Sequence, residues 1–453
     1  MALQQDRSLR SMVDIESGLV SREVYVNDEI FRQEQEQIFM RAWLFVGHES
    51  MVPNPGDFAA SRMGAEEVIM VRDRKNKVHV FLNTCRHRGM KVCRYDRGNA
   101  LVFTCPFHAW TYDTEGKLVG MGHQKQAYGP DFDKAEWPLH EVAQLRNYYG
   151  SIWATWDPKA PSFEEYLGPI APSVRHCFQS SDGEDNGLEV FMPIMRWRIP
   201  TNWKFPAFSF AGDGTHGAMT HLSVNAAAVG PQGTRGGGER HLLRAEFPRK
   251  SHEIVATEYG HGGHLAIYGA TGVPPYRDTW DTVPGADDYY RAQREKKAAK
   301  VGEHYMTPGG HGGGHFNIFP NVTLDSWRIL HWHPIAPGVT ESWRLFQVDK
   351  NAPKEVKDGV RHYAMRYCGP MGCTESDDME NWNYAYPASK GAVAQTLDYP
   401  FLQAMGQATP NERYPGFVSV GHTYAEENQR ARLRRWLEFM EASSWDDLFP
   451  VNK

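Results

Sequence analysis

Four residues between positions 85 and 108 are of the types that bind metals. Cys85 and His87 form one compact pair, Cys-x-His, and Cys105 and His108 form a second, Cys-x-x-His, with 17 residues between the pairs. Structural zinc sites favour pairs of two cysteines or two histidines. A two-iron cluster with two thiolates on one iron and two imidazoles on the other needs one residue of each type from each loop. The mixed pairs therefore favour a [2Fe-2S] cluster, held by Cys85 and Cys105 on one iron and by His87 and His108 on the other, with zinc as the alternative.

A second group lies further along the chain, as Asp213-x-x-His216-x₄-His221. On a regular α-helix the two histidines would point about 140° apart. They can share a metal ion only if the helix is locally widened or if His216 stands at its start. Two histidines on the surface of a helix are the other interpretation of this spacing.

The composition excludes several classes of protein. The chain has 453 residues and a formal net charge of −6, with no block of like charges. Nucleic-acid and membrane-surface roles therefore have no electrostatic support. The first residues lack the apolar segment of a secretory signal, and no apolar run is long enough to span a membrane. Six cysteines in a chain of this length do not suggest a disulfide scaffold, so we expect a reducing cytoplasm.

The pattern of apolar residues predicts an α+β protein in three parts. Residues 1–42 are expected to form a helical segment that packs on the last part. Residues 43–160 contain short β-rich runs separated by turn signals such as Asn54-Pro55-Gly56, which predicts a small all-β domain. Residues 161–453 mix strand-like and helical stretches, which predicts a larger domain.

Two features of the larger domain are specific enough to predict. The stretches "NVTLDSWRILHWHPI" and "TESWRLFQVDK" are strand-like and are expected to pair as a hairpin. Residues 353–368 and 422–442 are expected to be helical. Together they indicate an antiparallel sheet flanked by helices.

The first group of residues resembles a known motif. The segments "CRHRGM" and "CPFHAW" resemble the paired loops of the Rieske [2Fe-2S] motif. Trp110 after the second loop, and the arginines on either side of His87, resemble the α subunits of ring-hydroxylating oxygenases. For this family the larger domain has a helix-grip-like fold.

The second group resembles the same family. "NWK" at 202–204 stands shortly before Asp213, as it does in Rieske oxygenases, and "GPMGCTESDDMEN" resembles the family segment that supplies a carboxylate ligand. The resemblance implies that His216, His221 and Asp378 bind a mononuclear Fe(II), with Asp377 as the alternative to Asp378. Two histidines and one carboxylate leave positions open for O₂. The resemblance also implies that Asp213 links His108 of one chain to His216 of a neighbouring chain.

The implied function is that of the large (α) subunit of a Rieske non-haem iron aromatic-ring-hydroxylating dioxygenase. Such a subunit uses O₂, with electrons from NAD(P)H through a reductase and a ferredoxin, to cis-dihydroxylate an aromatic compound. The implied partner is a small β subunit in an α₃β₃ assembly, with α₃ as the alternative. A Rieske monooxygenase of the same architecture and, more remotely, a Rieske electron-transfer protein without oxygenase activity are the alternative functions.

The substrate pocket is expected to be apolar with few polar groups. The candidates flank the ligands or lie on a strand that the resemblance places at the pocket: Phe208, Ser209, Phe210, Met219, His315 and Asn317. The chain also departs from the family here. Many members carry Glu-Asn where this chain has Phe208 and Ser209, and Tyr where it has Thr215, which predicts an unusual pocket. Because no basic residue stands out among the candidates, a neutral aromatic substrate is favoured.

Overall fold

The computed structural model describes residues 8–191, 194–222, 252–266, 284–301, 314–325, 327–412 and 414–449. The chain divides into two compact units. The small unit is Phe39–Phe163, and the large unit combines Met1–Ile38 with Glu164–Lys453. The small unit carries Cys85 to His108, and the large unit carries Asp213 to His221.

Short strands and helices make up both units. In chain order the strands are β1 Val13–Asp14, β2 Leu19–Ser21, β3 Leu44–His48, β4 Asp57–Met63, β5 Glu66–Arg72, β6 Val78–Leu82, β7 Arg97–Asn99, β8 Val102–Thr104, β9 Thr111–Asp113, β10 Leu118–Gly120, β11 Gln144–Tyr148, β12 Ser151–Thr155, β13 Leu188–Val190, β14 Met195–Ile199, β15 His252–Ala256, β16 Gly262–Ala266, β17 Gly314–Ile318, β18 Val322–Leu324, β19 Arg328–Ala336, β20 Val339–Asp349, β21 Asp398–Pro400, β22 Thr409–Pro410 and β23 Val418–Val420. The α-helices are α1 Leu9–Met12, α2 Glu23–Val26, α3 Asp28–Glu34, α4 Gln124–Ala127, α5 Phe163–Leu167, α6 Ala171–Cys177, α7 Lys204–Ser209, α8 Gly217–Thr220, α9 Ala286–Val301, α10 Lys354–Tyr367, α11 Glu375–Ala388 and α12 Glu427–Glu441. A π-helical turn spans Gln35–Phe39, and 3₁₀ turns span Glu49–Met51, Lys134–Glu136, Gly168–Ile170, Ala394–Thr396 and Trp445–Asp447.

The small unit is built on three antiparallel sheets. Their strand orders are β6-β5-β4-β7, β10-β9-β8 and β11-β12-β3. Strands β5, β6, β8, β9 and β12 fall in the β-rich runs of the sequence, because β-branched and aromatic side chains pack well on a pleated surface. Other strands, such as β7 with the residues Arg-Gly-Asn, do not follow from that pattern. The buried core includes Phe81, Tyr112 and the thiols Cys85 and Cys105. The predicted small all-β domain is confirmed.

The large unit is organised around an antiparallel sheet. Ten strands of the described residues belong to it, in the order β13-β20-β19-β18-β17-β16-β15-β23-β22, with β14 also paired to β20. The predicted hairpin is β19–β20, paired from Arg328 opposite Phe346 to Ala336 opposite Val339. Helix α10 packs on β20 and α12 on β15, at the two predicted helical stretches. The predicted α+β class, with an antiparallel sheet and flanking helices, is therefore confirmed.

Two stretches differ from the sequence expectation. The N-terminal segment is helical in α1, α2 and α3, but it also contains the hairpin β1–β2, in which Val13 pairs with Val20. Gly18 lies in the turn at φ +70°, a conformation that glycine adopts readily. Helix α11 does not follow from the sequence pattern, because its buried face includes the carboxylates Glu375 and Asp378 among its apolar residues. A search for apolar periodicity does not find a face of that kind.

A buried carboxylate joins three segments of the large unit. Glu34 at the end of α3 is fully buried, and it accepts hydrogen bonds from Lys204 Nζ, from Trp203 Nε1 at 2.8 Å and from Trp436 Nε1 at 2.8 Å. Burial lowers the pKa of Lys204, and the Glu34 charge opposes that shift. Removing one member of a buried ion pair typically costs roughly 3–5 kcal/mol, because the other charge is left without compensation. The "NWK" segment is therefore anchored to the N-terminal and C-terminal helices just before Asp213.

A second charged cluster lies in the small unit. His79 on β6 is buried, with Nδ1 2.7 Å from a carboxylate oxygen of Glu141 and Nε2 3.2 Å from one of Asp73. Burial opposes protonation of the imidazole, but the two carboxylates outweigh it, so the pKa of His79 is raised. Asp73 also accepts the backbone N–H groups of Lys75 and Lys77 in the β5–β6 turn. The imidazolium therefore ties that turn to the segment at Glu141.

We expect His79→Gln to lower the melting temperature of the protein more at about pH 6 than at about pH 9. A histidine with a raised folded pKa contributes stability that is fully present below its unfolded pKa of about 6.5 and is lost as pH rises through the folded pKa. Thermal unfolding followed by circular dichroism across this range gives the difference between wild type and variant. His140→Gln, which changes an exposed histidine of the same unit, is the control. A difference that stays constant with pH would contradict the assignment.

Candidate metal centres

Two loops of the small unit share one backbone design. In each, the cysteine N–H donates to the carbonyl five residues later at 2.8 Å. The N–H groups of Gly89 and Ala109 return to the carbonyls of Cys85 and Cys105 at 2.9 and 3.0 Å. Gly89 and Ala109 both lie in the left-handed region, at φ +71° and +56°, and glycine adopts this conformation without strain. Each loop therefore closes tightly around its cysteine and presents the histidine two or three residues later.

The loops bring together all four predicted cluster ligands. Cys85 and Cys105 are each 2% exposed, and their thiols interact with each other. The rings of His87 and His108 have centroids 4.5 Å apart. The Nδ1 atoms of both histidines are buried and have no hydrogen-bond partner among the described residues. Two adjacent buried thiols and two unpartnered imidazole nitrogens fit the mixed ligand set of a Rieske cluster.

Aromatic residues surround this ligand set. Trp110 stacks on the His87 ring at 5.1 Å and 7°, and its indole N–H donates to the Tyr128 hydroxyl at 2.9 Å. The hydroxyl of Tyr112 lies 3.5 Å from Cys85 Sγ. Sequence reasoning missed Tyr112, because the pairing of β9 with β8 and β10, and not a motif, places it beside the sulfur. A hydroxyl donor at a cluster sulfur is one of the means by which a protein sets the reduction potential.

In the large unit, a short turn places the two histidines of the second group. Asp213 Oδ1 accepts the backbone N–H groups of Thr215 at 2.9 Å and His216 at 3.2 Å. These bonds start the single turn of α8, which has His216 at its N-cap and His221 at its C-cap. His216 therefore stands at the helix start, which is one of the two conditions under which this spacing allows a shared metal. The two rings are 5.3 Å apart and cross at 75°.

The first turn of α11 supplies the carboxylates. Asp378 Oδ1 lies 3.4 Å from His216 Nε2 and 3.6 Å from His221 Nε2. One ligand atom from each of these three residues lies within 4.8 Å of the other two. Asp377 instead faces the other side of His221, with Oδ2 3.4 Å from Nδ1. The geometry therefore favours Asp378 over Asp377 as the third ligand of a two-histidine, one-carboxylate site.

The charges around Asp378 explain its protonation behaviour. Burial raises its pKa to about 6, His221 and His216 oppose the shift, and the nearby charges of Glu375 and Asp377 add to it. Glu375 is itself neutralised by Arg344, whose Nε donates to both carboxylate oxygens at 2.9 and 3.1 Å. Acidic residues in the first turn of a helix are also stabilised by the helix dipole.

Three of the predicted pocket residues lie together. The Phe210 ring packs against Trp332 at 5.2 Å, Trp382 at 5.9 Å and His315 at 6.1 Å. Ser209 Oγ accepts the Trp382 indole N–H at 3.1 Å. Trp382 stands one helical turn after Asp378 on α11, so the same helix carries the candidate ligand Asp378 and one ring of this aromatic group. Sequence reasoning missed Trp332 and Trp382, because α11 and the β19–β20 register are needed to place them.

The other three pocket candidates have different surroundings. Phe208 lies beneath the Arg432 guanidinium at 5.4 Å. Met219 is 77% exposed. Asn317 is fully buried on β17, where its Oδ1 accepts the Thr323 hydroxyl at 2.6 Å. Residues two positions apart on a helix point about 200° apart, so Phe208 and Phe210, at the end of α7, do not share one face. The contacts of the described residues therefore give none of these three a place against the Phe210 ring.

Two family models match the chain. The Rieske [2Fe-2S] domain matches residues 42–145, and the catalytic domain of the ring-hydroxylating alpha subunit matches residues 182–395. The first match contains the four predicted cluster ligands, and the second contains both histidines of the candidate iron site and Asp378. Among the described helices, none has the length and apolar character needed to cross a bilayer.

Individual relatives extend over nearly the whole chain. The chain is 36% identical to the biphenyl dioxygenase subunit alpha of Paraburkholderia xenovorans, over 98% of this chain and 95% of that protein. It is 31% identical to a benzene 1,2-dioxygenase subunit alpha of Pseudomonas putida, over 97% and 95%. A solved structure of naphthalene 1,2-dioxygenase with indole in its active site superposes with a TM-score of 0.86 at 28% identity, covering 98% of this chain and 96% of that one.

The fold, the mixed Cys/His ligand set and the two-histidine, one-carboxylate site together define a Rieske non-haem iron oxygenase. The chain belongs to the ring-hydroxylating α subunits, the terminal oxygenase components of aromatic-ring-hydroxylating dioxygenases. It is an oxidoreductase that uses a Rieske [2Fe-2S] cluster and a mononuclear iron with O₂. The predicted family, function and cofactors are therefore confirmed.

We expect Tyr112→Phe to lower the midpoint potential of the cluster. A hydroxyl that donates to Cys85 Sγ stabilises the reduced cluster more than the oxidised one, because reduction adds negative charge. A redox titration followed by the visible spectrum measures the potential. Tyr128→Phe removes a hydroxyl that contacts Trp110 and not the sulfur, so it is the matched control. An unchanged potential in Tyr112→Phe would show that the phenol does not act on the cluster.

Proposed function

We propose that this α subunit adds both atoms of O₂ to a neutral aromatic ring and gives a cis-dihydrodiol. The proposal rests on the convergence of His216, His221 and Asp378, whose ligand atoms lie within 4.8 Å of one another. Trp382, which packs against the Phe210 ring, lies on the same helix as Asp378. An electron carrier without oxygenase activity would have no use for this second ligand set.

The residue roles follow from their positions. Cys85, Cys105, His87 and His108 hold the cluster, and His216, His221 and Asp378 hold the iron. When bound, the iron supplies the binding and activation of O₂. Asp213 fixes the turn before His216 through two backbone bonds, and its other oxygen lies 3.4 Å from His216 Nδ1. A carboxylate at this nitrogen holds the ring orientation and leaves Nε2 to the metal.

The aromatic group positions the substrate. Phe210 is partly exposed and offers an aromatic surface for a flat hydrocarbon, while the buried rings of Trp332 and Trp382 pack against it and hold it in place. Arg344 lies beyond them, 5.2 Å from the Trp332 ring, but its charge is met by Glu375. This pairing supports a neutral substrate over a carboxylate. The names of the relatives, which refer to biphenyl, benzene and naphthalene, support the same class.

The relatives also support a multi-component system. They are named as alpha subunits, which supports a small β subunit in an α₃β₃ assembly, with α₃ as the alternative. Electrons come from NAD(P)H through a reductase and a ferredoxin, in the cytoplasm.

Asp213 links His108 of one chain to His216 of its neighbour. We place the functional domains at 1–42, 43–160 and 161–453.

Oxygen labelling tests the reaction type. We expect the purified oxygenase, with a ferredoxin and reductase, to convert biphenyl or naphthalene under ¹⁸O₂ to a dihydrodiol that carries two labelled atoms. His221→Ala, which removes one iron ligand, should give no product while it retains the cluster spectrum. A product with a single labelled atom would make the chain a Rieske monooxygenase. Turnover that survives His221→Ala would remove the proposed iron site.

A further inference from the structure

The two histidines of the proposed iron site have carboxylates near both of their ring nitrogens. Their Nε2 atoms face the shared Asp378 oxygen at 3.4 and 3.6 Å. Their Nδ1 atoms face two different carboxylates, each at 3.4 Å: Asp213 for His216 and Asp377 for His221. Each imidazole therefore lies between a carboxylate at its outer nitrogen and the ligand cluster at its inner nitrogen.

This arrangement fixes which nitrogen is available to a metal. A neutral imidazole has one N–H and one lone pair, and the N–H points to the better acceptor. With Asp378 assigned to the metal, the carboxylate at Nδ1 is the acceptor left for the N–H, so the Nε2 lone pair faces the site. Both groups are partly shielded from solvent, since the His221 and Asp377 side chains are 20% and 25% exposed. The contact is therefore less screened than one between fully exposed groups.

One helical turn further along α11, a second contact supports the one between Asp377 and His221. Asn381 stands four residues after Asp377, on the same face, and its Nδ2 donates to Thr220 Oγ1 at 3.1 Å. Thr220 is the residue before His221 and the last residue of α8. Asp377 and Asn381 therefore hold both the ring of His221 and the backbone that carries it. The neighbouring stripe of the helix carries Asp378.

We propose that Asp377 is a positioning residue for the iron, because it holds the Nδ1 proton of His221 and so directs Nε2 to the metal, while Asn381 fixes the end of α8. This inference rests on the proposed iron site. It assigns to the two adjacent aspartates separate roles, Asp378 as ligand and Asp377 as the acceptor behind a ligand. Asp213 and Asp377 then act as a pair, one for each histidine.

The affinity for Fe(II) tests the proposal in the full-length protein. We expect Asp377→Ala to weaken Fe(II) binding by about 10- to 100-fold, which is the usual effect of losing the partner of a metal-bound histidine. Asp377→Asn keeps an acceptor oxygen and should recover part of that loss. Competition with a coloured Fe(II) chelator gives the affinity. The EPR spectrum of the Fe(II)–nitric oxide complex reports the ligand geometry, and it should change in Asp377→Ala.

The controls separate this role from others. Glu380→Ala removes an exposed carboxylate from the same helix and should behave as wild type. An unchanged cluster spectrum and circular dichroism show that each variant is folded. Wild-type affinity and an unchanged nitric oxide spectrum in Asp377→Ala would overturn the proposal. So would complete loss of iron in Asp377→Ala with retention in Asp378→Ala, because Asp377 would then be the ligand. Failure of the wild type itself to bind a mononuclear iron would instead remove the proposed function.

Discussion

The large unit depends on a carboxylate that is buried without access to water. Glu34 accepts hydrogen bonds from Lys204, Trp203 and Trp436, which belong to the "NWK" segment and to α12. Neither charge of the Glu34–Lys204 pair can be satisfied elsewhere in the core, so the three segments must meet at one point. Seven residues after Lys204, the Ala211 carbonyl accepts the Asn428 side chain of the same helix α12. The segment before Asp213 is therefore fixed at two points, Lys204 and Ala211.

The geometry of the candidate iron site depends on this anchored segment before Asp213. Asp213 starts the single turn of α8, and the two histidines stand at its ends. A longer regular helix would turn their rings apart, so the shortness of α8 is what allows them to converge. The opposite side is α11, whose first turn is held by the buried Arg344–Glu375 pair. The turn of α8 and the first turn of α11 therefore face each other across the ligand atoms. Asp213 fixes the first and Glu375 the second.

The sequence predicts the parts of the molecule that are encoded locally. The mixed Cys/His pairs favour a [2Fe-2S] cluster over zinc by residue type and spacing, and the match to the Rieske domain confirms the cluster. The α+β class and the β19–β20 hairpin follow from the period of the apolar residues. The spacing indicates that a shared metal requires a widened helix or His216 at a helix start. It does not predict how short α8 is.

The remainder depends on packing between distant segments. Helix α11 is hidden from a sequence search because carboxylates occupy part of its buried face. Trp332 and Trp382 reach the Phe210 ring only through the sheet register and that helix, and Tyr112 reaches Cys85 only through strand pairing. Sequence proximity to the ligands is a poor guide to the pocket, since Phe208 and Met219 flank the same ligands and point elsewhere. Which of Asp377 and Asp378 faces the two histidine Nε2 atoms depends on the orientation of α11, because adjacent residues on a helix differ by about 100° in direction.

Iron content, measured together with the EPR spectrum of the dithionite-reduced protein in wild type and His216→Ala, tests whether one chain holds both metal centres. We expect a Rieske-type signal with about three irons per wild-type chain, and the same signal with about two irons in the variant. A Rieske signal with only about two irons in both proteins would contradict the two-centre assignment, since the chain would then carry electrons without an oxygenase centre.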